Sequence, residues 1–361
     1  MSVIGPAGSS APATAAVPGV VTIALGPPEH GVTRFAVDCA RAAGSPLLEA
    51  ADISALPGAL AAHPGAPVHL HVTDPLFGAT PDEAAAAVES LARDRPVALT
   101  LHDVPQPAEG VERFHQRRRA YQRMAAAAGM LVVSSDHERA LCADAHIVVD
   151  AVIPLPVPAL PVPALPGATP PAPTPAPSDG PPDEARGSRA VGVFGFLHPG
   201  KAVDLVADAV AELAAAGDHN VALHLLGQPA DGHEDYVAAA VATVREAGGR
   251  AEVTGRIDDD ELARVLGRVT VPVALFRNIS ASGSLNTWAA AGRRPLVSDS
   301  AYTREMERRR PGSLLLTDGT DLPADLRRLL DDPAPTHRDV PPPGLDELGR
   351  DYRRAWDRWL A

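Results

Sequence analysis

The sequence predicts an α/β protein built from two Rossmann-like parallel-sheet domains that face each other across a cleft. Three observations carry that expectation. Short apolar segments alternate with amphipathic helical segments through both halves of the chain, the grammar of parallel sheets covered by helices on both faces. A proline-dense stretch from Leu155 to Arg189 separates the two halves. At 361 residues, 45% of them hydrophobic, the chain also exceeds the roughly 250–300 residues at which single cores stop growing.

The elements follow in order. Residues 1–19, small and proline-rich, read as a disordered lead-in without the basic start or continuous apolar run of a signal peptide. An N-terminal domain is expected over 20–154, with strands VVTIAL (20–25), VHLHV (68–72), VALTL (97–101), MLVVS (130–134) and HIVV (146–149). Helices VTRFAVDCARAAG, DEAAAAVESLARD and ERFHQRRRAYQRMAAAAG separate them. From 155 to 189, proline removes backbone donors and enforces extended conformations, so a linker or insert without helix or sheet is predicted. A second domain over 190–340 repeats the grammar with AVGVF, VALHLL, AEVT, VPVAL, PLVS and SLLL. In its first helix Val203, Val206, Val210 and Leu213 share one face. Residues 341–361 form an amphipathic segment with Leu345, Leu348, Tyr352, Trp356 and Leu360 near one face, read as a docking helix.

Charge and composition exclude several classes. Thirty-two basic against 45 acidic residues give a net charge of -13, which argues against a general nucleic-acid or membrane-surface binder while leaving room for a local anion pocket and peripheral membrane contact. Aromatics make up only 4%, too few for a base-stacking platform. No run reaches the length of a membrane span. Cys39 and Cys142, the only cysteines, match no zinc spacing and no disulfide framework, so a cytoplasmic setting is expected. His69, His71, His102 and Asp103 likewise lack a characteristic metal-ligand spacing.

The order of the turn segments is the most informative feature. The first half carries PPEHGVTRF, HLHVTDPLFG, ALTLHDVPQP and VVSSDHERA. The second opens with VFGFLHPGKA and continues through LHLLGQ, VTGRIDDDELARVL, VPVALFRNISASGS and RRPLVSDS. Together these resemble the GT-B nucleotide-sugar glycosyltransferases, in particular the large retaining family of bacterial cell-surface and polysaccharide enzymes, over residues 20–154 and 190–361. The resemblance implies an N-terminal acceptor domain and a C-terminal donor domain. It implies transfer of a hexosyl group from a nucleoside-diphosphate sugar, such as a UDP- or GDP-hexose, to a hydroxyl acceptor, without a bound metal or other cofactor.

The same resemblance distributes roles. Lys201 stands at the family's lysine position in a strand–turn–helix, where a helix N-terminus and a cation stabilise a departing diphosphate. Phe196 occupies the place of the family's arginine, so His198 or Arg277 is expected to supply the second positive group, with Gly200 in the same turn. The loop Ser280, Ser282, Gly283 and Ser284 offers hydroxyls and backbone N–H groups to the diphosphate. The paired glutamates common in this part of the family are absent: their equivalents are Ile279 and Thr287, or Ser280 and Trp288. Arg256 lies in the turn near the nucleotide base, while Asp258–Glu261 are explained by helix capping. In the first half, His102 positions donor or acceptor, Gly31 lets the backbone approach the sugar, His71 and Asp74 line the acceptor side, and His30 stands at the cleft edge. Ser135 and Glu138 read as a helix cap. The missing glutamates and the Phe196 substitution also admit an alternative, a GT-B-like binding or scaffold protein that has lost donor chemistry.

Overall fold

The structure is a computed structural model and describes residues 19–161 and 189–361. The predicted lead-in up to Ser10 and beyond to residue 18, and residues 162–188 of the predicted linker, lie outside the described residues. In the first half, β1 (Val21–Leu25), β2 (Leu47–Ala50), β3 (Val68–Val72), β4 (Val97–Leu101), β5 (Met130–Val133) and β6 (Ala151–Val152) form one sheet. Helices α1 (Gly31–Ala43), α2 (Leu56–Leu60), α3 (Asp74–Phe77), α4 (Pro81–Ala92), α5 (Val111–Ala127) and α6 (Asp136–Asp144) connect them. Every pairing is parallel, in the order β2-β1-β3-β4-β5-β6.

The second half repeats the scheme. Strands β7 (Arg189–Phe194), β8 (Val221–Leu226), β9 (Arg250–Val253), β10 (Val271–Ala274), β11 (Leu296–Ser298) and β12 (Leu315–Thr317) pair in the order β12-β11-β10-β7-β8-β9, again all parallel. Its helices are α7 (Val203–Ala215), α8 (Glu234–Glu246), α9 (Asp259–Gly267), α10 (Gly283–Ala290), α11 (Ala301–Arg309) and α12 (Leu322–Asp331). The α/β class and the two Rossmann-like sheets agree with the sequence reading. Side chains that accept a hydrogen bond from the first helical turn start many of the helices: Thr80, Ser135, Ser282, Ser300 and Asp321 each do so.

The central strands are recognisable in the sequence because they are buried on both faces; β1, β3 and β4 are buried throughout. Two edges behave differently. HIVV (146–149) is not a strand: His146 turns the chain with φ 58°, Ile147 is buried without pairing, and the sixth strand comes only at Ala151–Val152. β2 was not anticipated, because an edge strand with only Ala50 buried carries neither a continuous apolar run nor clean alternation.

The last helix, α13 (Leu345–Leu360), leaves the second half and packs on the first. Leu348, Tyr352, Ala355 and Trp356 are buried with Val20, Cys39, Ala43, Met130 and Val132. The start of the predicted linker is also docked: Val157 is buried, and Leu155 O accepts from Arg310 at 3.0 Å and from Asn286 Nδ2 at 3.3 Å.

Candidate active site

Strand order reverses between β1 and β3 in one sheet and between β7 and β10 in the other. In open α/β sheets the crevice outside the carboxyl ends of the strands at such a reversal is where ligands bind. The turns after β7 and β10 therefore define a site in the second half, and those after β1, β3 and β4 face it from the first.

The turn after β7 holds Lys201. Its ammonium donates to Phe194 O at 3.2 Å and Ser284 Oγ at 3.3 Å and lies 5.5 Å from the centre of the Phe276 ring. Desolvation lowers its pKa to about 8, and among the described residues no carboxylate pairs with it. A desolvated cation without a counter-charge costs stability on its own and gains most from an arriving anion. His198 caps the same turn, its Nδ1 accepting from Gly200 N at 3.2 Å. A Cβ on Gly200 would stand 2.7 Å from the His198 ring, so the cap requires glycine there. With Nδ1 accepting, the neutral ring carries its hydrogen on Nε2; burial, then Lys201 and His233, hold its pKa below the ordinary histidine value. Phe196, 41% exposed, stands in the same turn.

Arg277 does not add a free cation. Its backbone N donates to Gly200 O at 3.0 Å, and its guanidinium donates to Pro199 O at 3.0 Å and to Asp204 at 2.5 Å. Its charge is matched by Asp204, and it acts as a clasp that ties the β10 turn to the β7 turn. In the serine loop the roles divide. Ser280 is buried, and its carbonyl accepts from Ser135 Oγ across the cleft at 3.1 Å. Ser282 N donates to Tyr302 OH at 3.0 Å, and Ser282 Oγ caps α10 by accepting from Leu285 N. Gly283 is exposed with open space around it, and Ser284 touches Lys201, so the start of α10 faces the cleft beside the ammonium. Neither proposed pair of glutamate equivalents restores a carboxylate: Trp288 is fully buried against Leu266 and Val269, and Thr287 Oγ1 donates to Gly283 O. Arg256 is exposed in the turn before α9.

In the first half, His102 is buried and its Nε2 lies 3.3 Å from His71 Nδ1. Burial lowers its pKa to about 4, so the ring is neutral at neutral pH. Asp103 follows it in the left-handed region, φ 51°, and is exposed. A non-glycine residue is held in that region only where the surroundings over-determine it. Here Arg117 does so, donating to Asp103 O at 2.6 Å and to Asp74 Oδ1 at 2.8 Å, while Tyr121 OH sits 3.0 Å from His102 O. Burial holds the pKa of His30 below the ordinary histidine value; the Asp103 carboxylate opposes that shift, and acts weakly in the same sense on His198 across the cleft. Sequence reasoning grouped Asp103 with His102 but assigned it no separate role; its φ becomes visible only in the fold. Asp74 is spent on Arg117 and is not free to line an acceptor side. Gly31 begins α1 in open space, whereas the positive φ of that turn falls at Gly26, φ +95°. His30 caps α1 through Nδ1, accepting from Val32 N at 3.2 Å.

Several contacts fix the two halves around the cleft. Arg34 of α1 pairs with Asp259 of α9 at 2.9 Å, both exposed. Glu305 of α11, buried, accepts from Asp136 N at 2.8 Å and His137 N at 2.9 Å, capping α6 from the opposite domain. Sequence reasoning missed Glu305 because its partners lie 168 and 169 residues away.

No protein-family profile matches the chain, and no curated protein sequence does. Solved structures do. Anabaena HepE in complex with UDP-glucose superposes with a TM-score of 0.65 at 13% identity, covering 94% of this chain and 95% of that one. Sucrose-phosphate synthase from Thermosynechococcus elongatus gives 0.53 at 17% identity over 85% and 74% of the two chains. A UDP-forming trehalose-phosphate synthase from Burkholderia xenovorans gives 0.51 at 13% identity over 92% and 78%. No helix among the described residues is long and apolar enough to cross a membrane. Two parallel six-stranded sheets facing one cleft, shared along nearly the whole of HepE, give this chain the GT-B fold of the nucleotide-sugar glycosyltransferases.

Proposed function

We propose that the protein transfers a hexosyl group from a nucleoside-diphosphate sugar to a hydroxyl acceptor. The observation that carries this is Lys201: a desolvated ammonium without a carboxylate partner among the described residues, beside the start of α10 and at the strand-order reversal of a GT-B donor domain. In this reading the diphosphate lies against Lys201, Gly283 and Ser284, where fixed charge and helix N–H groups meet the negative charge that develops on the leaving group. His198 donates from Nε2, and Arg277 holds the two turns in register. Gly200 keeps the His198 cap in place, and Ser280 and Ser282 shape the loop. Arg256 contacts the nucleotide base and Gly31 leaves room for the sugar. His102 and Asp103 orient the acceptor hydroxyl.

UDP and UDP-glucose are bound in the HepE structures, and that supports a nucleotide-sugar donor here. Retention of anomeric configuration is proposed with the leaving diphosphate itself assisting on one face of the sugar, without a protein carboxylate nucleophile or a metal. Proton NMR of the anomeric signal in the product tests this; inversion would instead assign Asp103 the part of general base. The setting proposed is the cytoplasm, where nucleotide sugars are the donors at hand. A scaffold that has lost donor chemistry is the lesser reading, favoured by the absent glutamates and by Phe196 in the place of an arginine.

Thermal-shift titration with UDP, GDP and their sugars, paired with Lys201→Met, tests the donor site. The wild type should be stabilised by one nucleotide series, while the variant loses that response and at least ~100-fold of transfer rate, the scale of a lost transition-state charge contact. Without ligand, Lys201→Met should be more stable by roughly 1–2 kcal/mol, because a partly desolvated charge without a counter-charge has been removed. The free lysine titrates near pH 8 and a bound diphosphate raises that value, so nucleotide affinity should be full below pH 8 and weaken above it. No stabilisation by any nucleotide would sink the reading.

A further inference from the structure

A second cluster of chemically active side chains lies in the first half, behind His102. Cys39 on α1 and His69 and His71 on β3 can each offer one ligand atom, and these atoms all lie within 4.8 Å of one another. All three side chains are buried, at 0%, 0% and 2% exposure. Alternation along β3 puts the two histidines on the same face, and Tyr352 and Trp356 of α13 close over His69.

The hydrogen bonding of the two rings is one-sided. His69 Nε2 is 2.8 Å from Thr100 Oγ1, which is in turn 3.0 Å from Tyr352 OH. His71 Nδ1 is 3.3 Å from His102 Nε2. The remaining nitrogens, His69 Nδ1 and His71 Nε2, are buried with no partner among the described residues. A buried polar atom left unpaired costs about 1–3 kcal/mol, and the Cys39 thiol, with one hydrogen, could serve at most one of the two. Metal-bound histidines characteristically have the far nitrogen anchored to a neighbour and the near nitrogen free for the ion. Each ring here has one nitrogen anchored and the other available to an ion.

We propose that Cys39, His69 and His71 bind one soft d10 metal ion, zinc(II) or copper(I), in a site separate from the donor pocket. A thiolate with two imidazoles selects such ions over magnesium, calcium or manganese. A triangle with the edge observed here puts its centre at most ~2.8 Å from each atom, and Zn–N and Zn–S bonds are about 2.0–2.3 Å, so closure requires shifts of roughly half an ångström. Binding forms one metal–sulfur and two metal–nitrogen bonds, releases the thiol proton to solvent and moves no electrons. The site also reaches the cleft. An ion on His71 Nε2 requires the ring hydrogen on Nδ1, where it donates to His102 Nε2; His102 then carries its own hydrogen on Nδ1. The bound ion thereby sets the tautomer of the histidine that faces the cleft. The proposal does not depend on glycosyl transfer.

The test uses the full chain, stripped with chelator under reducing conditions and titrated separately with zinc(II) and copper(I) against competing indicators. Cobalt(II) serves as the spectroscopic probe. The expected result is one equivalent of zinc or copper, a sulfur-to-cobalt charge-transfer band in the near ultraviolet, and about 100-fold weaker binding in Cys39→Ala. Cys142→Ala, which removes the other buried cysteine, should bind as the wild type does. Nitrogen NMR of the imidazoles should show His102 locked in the Nδ1–H form only when metal is bound. Whichever ion binds more tightly is the assigned occupant. Absence of stoichiometric binding by either ion, or binding that Cys39→Ala leaves intact, overturns the proposal. Should Cys39→Ala fail to fold, the cobalt spectrum of the wild type decides alone: without the charge-transfer band there is no thiolate ligand.

Discussion

Glu138 illustrates how much a single residue owes to parts of the chain far from it. Its local role was legible: Ser135 Oγ caps the helix by accepting from Glu138 N at 2.9 Å, while Glu138 Oε2 reaches back to accept from Ser134 N, one residue before the cap, at 2.7 Å. Its burial was not, because Ser280 of the other domain closes over it. Burial raises its pKa to about 8, against an ordinary 4.5. The folded state therefore holds a proton that the unfolded state has released between those two values, and stability falls as pH rises from about 4.5 through about 8. Glu138→Gln should remove that decline and leave the variant more stable at pH 9 by roughly 1–3 kcal/mol; urea titrations of both proteins at pH 5, 7 and 9 measure it. A decline of equal slope in the variant would assign the effect elsewhere. Lys201 was also legible, from its place in the turn. Arg277 was legible only as a nearby cation, since nothing in the sequence shows Asp204 taking its charge.

At the scale of elements, apolar runs and helix caps were readable wherever burial is two-sided or a cap is local. The segments VHLHV and VALTL coincide with β3 and β4 to the residue. Where pairing depends on a sheet edge, as in β2 and β6, sequence pattern carried little. α13 combines both situations. Its apolar face was evident at Leu348, Tyr352 and Trp356, but not the surface it covers. That surface is α1, and the helices approach so closely that a Cβ on Gly349 would stand 2.0 Å from Ala42 O. Gly349→Leu should force the helices apart and destabilise the protein by about 2–4 kcal/mol, as overpacking and lost burial combine. Trp356 and Trp359 fluorescence in a denaturant titration reports the loss.

The whole molecule is held around its cleft by contacts of unequal worth. Glu305 is buried and accepts from two backbone N–H groups of α6, besides pairing with Arg309 at 2.8 Å. Removing it leaves two part-buried backbone donors and Arg309 without their partner, so Glu305→Ala should cost about 1–3 kcal/mol. The Arg34–Asp259 pair also bridges the domains, but with both partners more than half exposed Arg34→Ala should cost less than ~1 kcal/mol, and that loss should fade in high salt. Chemical denaturation of the two variants at low and high salt separates the contributions; equal losses would contradict the ranking. By itself, the sequence determined the α/β class, the two sheets, the helix starts and the lysine turn, because periodicity, capping and turn chemistry act over a few residues. Only tertiary structure decided which charges are spent and which are free. It showed Asp204 on Arg277, Asp74 on Arg117 and, among the described residues, only neutral groups on Lys201. It also brought Cys39 beside His69 and His71 from thirty residues upstream, on a different element. Pairing, burial and ligation depend on distance in space, and separation along the chain carries no record of it.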